Sequence, residues 1–379
     1  MRHIFPKIVF LFVLAFAGCN QKQDAASGES NTVKNSVRHA KGLQIYHYDG
    51  YSVVRITNPW PDATEKFDYV LHKKGVVVPD SLSAYTAIQV PIKSVVVTST
   101  THIPSLEMLG VENTLVAFPN TSYISSEKTR ALVDSGKVKE VGANESLNTE
   151  VMIDLAPEAV VGFSISSNNK TLTSLQQSGL KVIYNGDWTE QSPLGKAEWI
   201  KFFGALYDRN AAAEKLFDRI EKDYNSAKAL ADKATTSPTV LCGSMYQDIW
   251  YMPQGGSWGA LFLKDAHANY LWASEKGTGS LHLSLEKVLD RAVDAQIWVG
   301  PTEFTSLKDL AAANQHYTQF RAFKEKNVYS FSSKKGKTGG VIYYELAPNR
   351  PDLVLKDLIK ILHPDLLPDY QLHFFEKLK

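Results

Sequence analysis

The sequence predicts an α/β protein of two lobes with parallel sheets, joined by a long helix and extended by β-strands on the first lobe. Three observations predict it: apolar strand-like runs that alternate with helical stretches, a helix–strand segment that occurs twice in one register, and a single amphipathic helix between the two copies.

Residues 42–92 come first. "LQIYHYDGYSVVRITNPW" and "FDYVLHKKGVVVP" alternate like antiparallel strands, with turn signals at Asp49-Gly50 and Lys74-Gly75, so this stretch reads as the β extension. The N-terminal lobe is assigned to residues 93–194. Its first strand, "KSVVVTSTTH", is almost continuously apolar, as a strand covered on both faces should be. "AVVGF" and "KVIYNG" supply later strands, each after a helical stretch. Strands alternating with helices imply a parallel sheet with right-handed crossovers.

The linking helices occupy 195–236. "PLGKAEWIKFFGALY" starts at Pro193, a residue suited to a first helical turn. In "NAAAEKLFDRIEKDYNSAKALADKA", Asn210 is placed for an N-cap, and Ala213, Leu216, Phe217, Ile220, Tyr224 and Ala227 follow helical spacing. At 1.5 Å per residue this makes about 35 Å of helix, a stiffer connection than a strand linker. The C-terminal lobe, 237–379, repeats the pattern with "PTVLCGSMYQ", "AQIWVG" and "NVYSFSS". Residues 147–161, "LNTEVMIDLAPEAVV", align without a gap on 283–297, "LSLEKVLDRAVDAQI": Leu, Glu, Asp and two Ala are identical.

The beginning of the chain predicts export. Arg2, His3 and Lys7 precede the apolar run "IVFLFVLAFA", too short to span a bilayer but the right length for the core of a signal peptide, 1–18. "FAGC" places small residues before Cys19 and resembles a lipobox, with Phe16 where Leu is usual. Cys19 is therefore the predicted lipidation site, and cleavage with Cys19 as a bystander is the other reading. Residues 19–41 are polar and predicted to remain a disordered tether. With lipid on Cys19, Cys242 is left without a disulfide partner and reads as a small buried hydrophobe. Acidic and basic side chains nearly balance, which gives no reason to expect nucleic acid.

The order of lipobox, α/β lobe, backbone helix and second α/β lobe resembles the substrate-binding proteins of ABC importers for ferric siderophores, haem and cobalamin. The stretches that carry the resemblance are "SVVVTSTTHIPSLEMLGVENTLVA", "LNTEVMIDLAPEAVVG", "SPLGKAEWIKFFGALY" and "NRPDLVLKDLIKILHP", spread over roughly residues 90–366. The resemblance implies a monomeric, membrane-anchored protein of the periplasm or cell envelope. It would grip a bulky chelate between its lobes, do no chemistry on it, and deliver it to a permease dimer. It also implies one glutamate on the outer tip of each lobe that docks on permease arginines. Glu150 and Glu286, paired in the internal repeat, match by position.

Cargo contacts are expected from loops at the carboxyl ends of strands. The candidates are His102, Tyr123, Phe163, Trp188, Trp250, Tyr251, Trp258, Phe304, Tyr343 and Arg350. Aromatic rings offer rigid apolar area to a flat or macrocyclic ligand. His102 and Tyr123 are also candidates for an axial bond to haem iron, or are pocket-wall residues. Lys334, Lys335 and Lys337 could draw in an anionic chelate or belong to a solvated loop. The ten histidines are scattered, so no resident metal or cofactor is expected. One alternative belongs to a different class. "GGSWG" fits the G-x-S-x-G elbow, which would make Ser257 the nucleophile of a secreted α/β hydrolase.

Overall fold

Two five-stranded sheets, one per lobe, carry the fold. The computed structural model describes residues 34–379 except Thr302, so the predicted signal peptide, Cys19 and the tether up to residue 33 lie outside the described residues. In the N-terminal lobe the spatial order is Val182–Tyr184, Ala159–Gly162, Val95–Val97, Leu115–Phe118, Lys139–Glu140, all parallel. In the C-terminal lobe it is Asn269–Tyr270, Thr239–Cys242, Ile297–Val299, Val328–Ser330, Glu376–Lys377, with only the last strand antiparallel. The central strands are buried along their whole length, Val95–Val97 and Ala159–Gly162 among them, because helices cover both faces.

The repeat seen in sequence is a repeat of structure. Helices Thr149–Leu155 and Leu285–Ala292 occupy matching positions ahead of strands Ala159–Gly162 and Ile297–Val299. Met152 and Val288, partners at the constant offset, are each fully buried beneath their lobe.

The bridging helix runs Asn210–Ala231, 22 residues, or about 33 Å. Its buried stripe is shared between two cores: Ala213, Phe217 and Ile220 pack into the N-terminal lobe, while Tyr224, Ala227 and Ala231 pack into the C-terminal lobe. Tyr224 donates to Asp265 at 2.6 Å, and Lys228 pairs with the same carboxylate at 2.7 Å. Asn210 is not the cap. Arg209 holds that place without a side-chain bond, because left-handed Asp208 ends the preceding helix directly before it.

The β extension has one parallel pairing that alternation could not reveal. Leu43–His47, Tyr51–Ile56 and Phe67–Lys73 form an antiparallel meander, but Thr86–Val90 lies parallel to Phe67–Lys73. The chain after Gly75 crosses back through a short turn at Asp80–Leu82 instead of forming a hairpin. The extension is continuous with the lobe: Ile45, Val54, Leu71 and Ile88 share one core with Val95, Val97 and Ile183.

Residues 34–41 are ordered, against the expectation of a tether reaching residue 41. The backbone N–H groups of Arg38, His39 and Ala40 donate to Glu198 at 2.8, 2.5 and 2.9 Å. Those of Lys41 and Gly42 donate to Glu190 at 3.0 and 2.7 Å. The anchor is made of backbone donors on two buried carboxylates, which leaves no apolar trace in sequence. Among the described residues no helix is long and apolar enough to cross a membrane.

Replacing Phe217, which is fully buried in the bridging helix, should test how firmly that helix is packed. We expect Phe217→Ala to lower unfolding free energy by about 3–5 kcal/mol. Urea denaturation followed by circular dichroism measures it, and a loss under about 1 kcal/mol would mean that the helix does not tie the lobes together.

Candidate functional site

In open α/β sheets a crevice forms outside the carboxyl ends of strands where the strand order reverses. The N-terminal lobe reverses between Val95–Val97 and Ala159–Gly162, and the C-terminal lobe between Thr239–Cys242 and Ile297–Val299. A recess opens at each point. One, of about 420 Å³, is lined by Thr98, Ser99 and Phe163 from the first reversal and by Tyr123, Val341 and Tyr344. The other, of about 900 Å³, is lined by Cys242, Gly243, Val299 and Gly300 from the second reversal, and across from them by Trp188 and Lys196. Phe163 and Trp188 meet edge to face with centroids 5.4 Å apart, so the two recesses adjoin along one interlobe cleft.

Local backbone chemistry shapes the cleft floor. Gly243 has φ +73°, and a side chain there would strike the carbonyl oxygen of Tyr251. That close approach belongs to a three-stranded antiparallel sheet, Ser244–Tyr246, Ile249–Pro253 and Ser280–Leu283, inserted after the first strand of the C-terminal lobe. The predicted aromatic loop is thus a small sheet. It presents Tyr251 to the larger recess, while Trp258 in the following helix, Tyr343 and Phe331 complete that wall. Tyr343 stacks on Phe331 at 4.3 Å and leans on Trp258 at 6.1 Å.

A clasp closes the cleft at the smaller recess. Thr338 donates to Ser122 O at 2.8 Å, and Asn349 donates to Thr101 O at 2.7 Å. Glu345 accepts from the N–H groups of Ser125 and Ser126 at 2.7 and 3.0 Å. Burial pushes the Glu345 carboxyl up to about 7 against the pull of those donors. Gly336 and Gly340 are required by this contact, since a Cβ would lie 2.5 Å from Ser125 O and 2.1 Å from Tyr123 O.

Six of the ten predicted cargo contacts reach the cleft. Trp188, Tyr251, Trp258 and Tyr343 line the larger recess, and Tyr123 and Phe163 the smaller. Four do not. Trp250 is fully buried in the C-terminal core, stacked on Trp298 at 5.4 Å with its indole N–H bonded to Cys242 O. Alternation along its strand turns Tyr251 to the cleft and therefore Trp250 away from it. His102 is fully buried, 5.7 Å from the Phe203 ring and 3.9 Å from Asp187 Oδ1. Burial holds its imidazole below the usual pKa range, and no face is left for a ligand iron. Phe304 packs against the C-terminal core near Tyr317. Arg350 makes a bidentate pair with Asp352 at 2.8 and 2.7 Å in the first turn of the last long helix.

Two of the three lysines of the cationic loop are committed elsewhere, and Lys335 is exposed. Lys334 donates to Leu372 O and His373 O, and Lys337 pairs with Asp134 at 3.3 Å. The cleft cation is Lys196, which the sequence reading passed over. So were Asn58, Trp60, Pro61 and Asp62, a loop of the β extension that reaches the larger recess. Gly186 allows that reach, because a Cβ there would lie 2.5 Å from Asn58 O. No local pattern announces such a crossing. Glu150 and Glu286 are both exposed in the first turns of the repeated helices. Hydrogen bonds from its own N–H and from Ser284 hold Glu286 below the usual carboxylate range. Cys242 is buried, and its thiol is pushed up to about 12.

The serine elbow does not form. The Ser257 hydroxyl donates to Gln254 O at 2.7 Å and accepts from Ala260 N–H at 3.3 Å, so it caps the helix Trp258–Asp265. Among the described residues no three His, Cys, Asp or Glu side chains form a metal-sized group. We expect Ser257→Ala to cost about 1 kcal/mol of stability as a lost cap and to leave ester hydrolysis at buffer background in both proteins. Thermal unfolding and a p-nitrophenyl ester assay check the two halves; serine-dependent turnover would reverse the reading.

Comparison with known proteins agrees with this geometry. An uncharacterized lipoprotein of Methanocaldococcus jannaschii is 23% identical over 98% of this chain and 94% of its own length. The triscatecholate siderophore-binding protein of Bacillus subtilis, solved with ferri-bacillibactin, superposes with TM-score 0.54 at 18% identity, covering 73% of this chain and 94% of that one. The periplasmic haem-binding protein of Vibrio cholerae gives TM-score 0.52 at 18% identity over 69% and 99%. Residues 95–334 match the family described as periplasmic binding protein, and with that match over more than half its length the chain belongs to this family.

Proposed function

We propose that the protein captures a bulky metal chelate, a siderophore complex, haem or cobalamin, and hands it to an ABC-type importer from a lipid anchor on Cys19. One observation carries the reading: a cleft at both strand-order reversals, faced with Trp188 and Phe163 on one side and Tyr251, Trp258, Phe331 and Tyr343 on the other. Rings on opposing walls suit a broad, flat guest. Structural neighbours named for haem and for a ferric siderophore support the same class, and a relative named as a lipoprotein supports the anchor.

Delivery rests on Glu150 and Glu286. Both are exposed, and both open helices that are equivalent in the two lobes. Held at fixed separation by the bridging helix, they can meet two arginines of a two-fold partner, with bidentate geometry giving register. Tyr123, 63% exposed at the smaller recess, remains the candidate for contact with a bound iron centre.

Titration with ferric haem, cyanocobalamin and a ferric triscatecholate tests capture. We expect at least one to quench the intrinsic tryptophan fluorescence with a Kd of about 1 μM or tighter, and no response to any of them would refute the reading. Delivery is tested separately: Glu150→Ala with Glu286→Ala should leave that Kd unchanged and lower uptake in cells by about tenfold or more. Unchanged uptake would remove both residues from the docking role.

A further inference from the structure

Lys196 stands out from the other charged groups at the cleft. It belongs to the helix Pro193–Glu198, is almost fully buried, and lines the larger recess. Its Nζ donates to Asp187 O at 3.1 Å and Trp188 O at 2.8 Å, which occupies two of its three hydrogens. The Trp258 ring lies 5.2 Å away across the cleft. Among the described residues no carboxylate comes within ion-pair distance of Nζ.

The nearest acids point their hydrogen-bonding atoms at other groups but keep their charge, and Asp187 Oδ1 has no hydrogen-bond partner. Glu190 is taken up by the N–H groups of Lys41 and Gly42 and by the Trp199 indole. Asp187 Oδ2 accepts from Thr101 at 2.7 Å, and Oδ1 faces His102. From the opposing lobe the titratable groups on the recess are Cys242, Tyr251 and Tyr343, and burial pushes the Cys242 thiol and the Tyr343 hydroxyl up, away from the anion. Asp62, on the β-extension loop, is exposed. Among the described residues the recess therefore contains one basic side chain, bordered by aromatic rings and without a direct ion-pair partner, while Glu190 and Asp187 act on it from a distance.

We infer that Lys196 is the charge-selecting residue of the cleft, receiving a single carboxylate or phosphate group on the rim of an otherwise ring-stacked, macrocyclic cargo. The inference rests on the transport reading above and sharpens its substrate class. A buried cation has lost much of its hydration, and an anion delivered by the cargo replaces it within a low-dielectric site. Lys196 is the one basic group among the described residues lining the recess, so it can meet one anionic group directly. A complex with three negative charges would carry its excess toward Glu190 and Asp62, which line the same recess, and like charges there oppose closure. Burial pulls the Lys196 ammonium down to about 8, with Asp187 and Glu190 drawing it back up. Lysine binds the anion only when protonated, so affinity is complete below that pH and falls as pH rises through it.

The test uses the full chain with ferric haem, which has a carboxylate rim, cyanocobalamin, which has one phosphodiester, and a trianionic ferric triscatecholate. We expect one of the two macrocycles to bind at least tenfold tighter than the triscatecholate, and its affinity to fall about fivefold from pH 7 to pH 9. Lys196→Met should weaken that macrocycle about tenfold at pH 7 and abolish the pH dependence. Lys196→Arg should keep the affinity and also lose the pH dependence, which separates charge from packing if the Met variant folds poorly. Tightest binding of the triscatecholate overturns the inference while leaving the transport reading in place. So does wild-type affinity of the Met variant, or an undiminished pH slope in it. Binding of none of the three defeats both.

Discussion

The bridging helix is the constraint from which the rest of the structure follows. One apolar stripe is divided between two hydrophobic cores, with Ala213, Phe217 and Ile220 in one and Tyr224, Ala227 and Ala231 in the other. Moving either lobe against the helix would expose part of that stripe. Each fully buried large side chain is worth about 1.5–3 kcal/mol, so wide hinge opening is disfavoured at its root. The relative placement of the two strand-order reversals, and hence the shape of the cleft, follows from this packing.

Where the lobes meet, the contact is polar and close. Gly336 and Gly340 let one segment of the C-terminal lobe come within backbone distance of Tyr123 and Ser125. The exchanged hydrogen bonds go through Thr338, Glu345 and Asn349. Such a seam is directional, unlike the apolar stripe. The molecule thus combines a stiff backbone with a clasp of hydrogen bonds beside the smaller recess.

Buried carboxylates organise the N-terminal side. Glu190 and Glu198 bind five backbone N–H groups of residues 38–42, and Glu198 also pairs with Lys201 at 2.9 Å. Backbone donors satisfy these charges and fix the start of the β extension, whose later loop at Asn58–Asp62 then reaches the cleft. These donors hold Glu190 out of direct contact with Lys196, while its charge still acts on the ammonium through space. The anchoring of the chain and the electrostatics of the site are connected through one residue.

Much of the architecture was legible because it is written in periodicity. Continuous apolar strands, helical spacing in 210–231 and the offset repeat each reflect burial that acts on neighbouring residues. The same rules placed Trp188, Tyr251, Trp258, Tyr343, Phe163 and Tyr123 at strand ends and cleft walls. They failed for Trp250, His102, Phe304 and Arg350, because an aromatic or a polar residue near a strand end reads alike whether it faces the cleft or the core. The sequence by itself determined the two-lobed α/β plan, the paired positions of Glu150 and Glu286, and the single long helix between the lobes. Only the tertiary structure decided which side chains face the cleft, that Ser257 is a helix cap, and that Lys196 stands there without a direct ion-pair partner. Those outcomes depend on contacts between residues far apart in the chain, such as Gly186 with Asn58 and Lys196 with Trp258, and no local pattern encodes a distance of that kind.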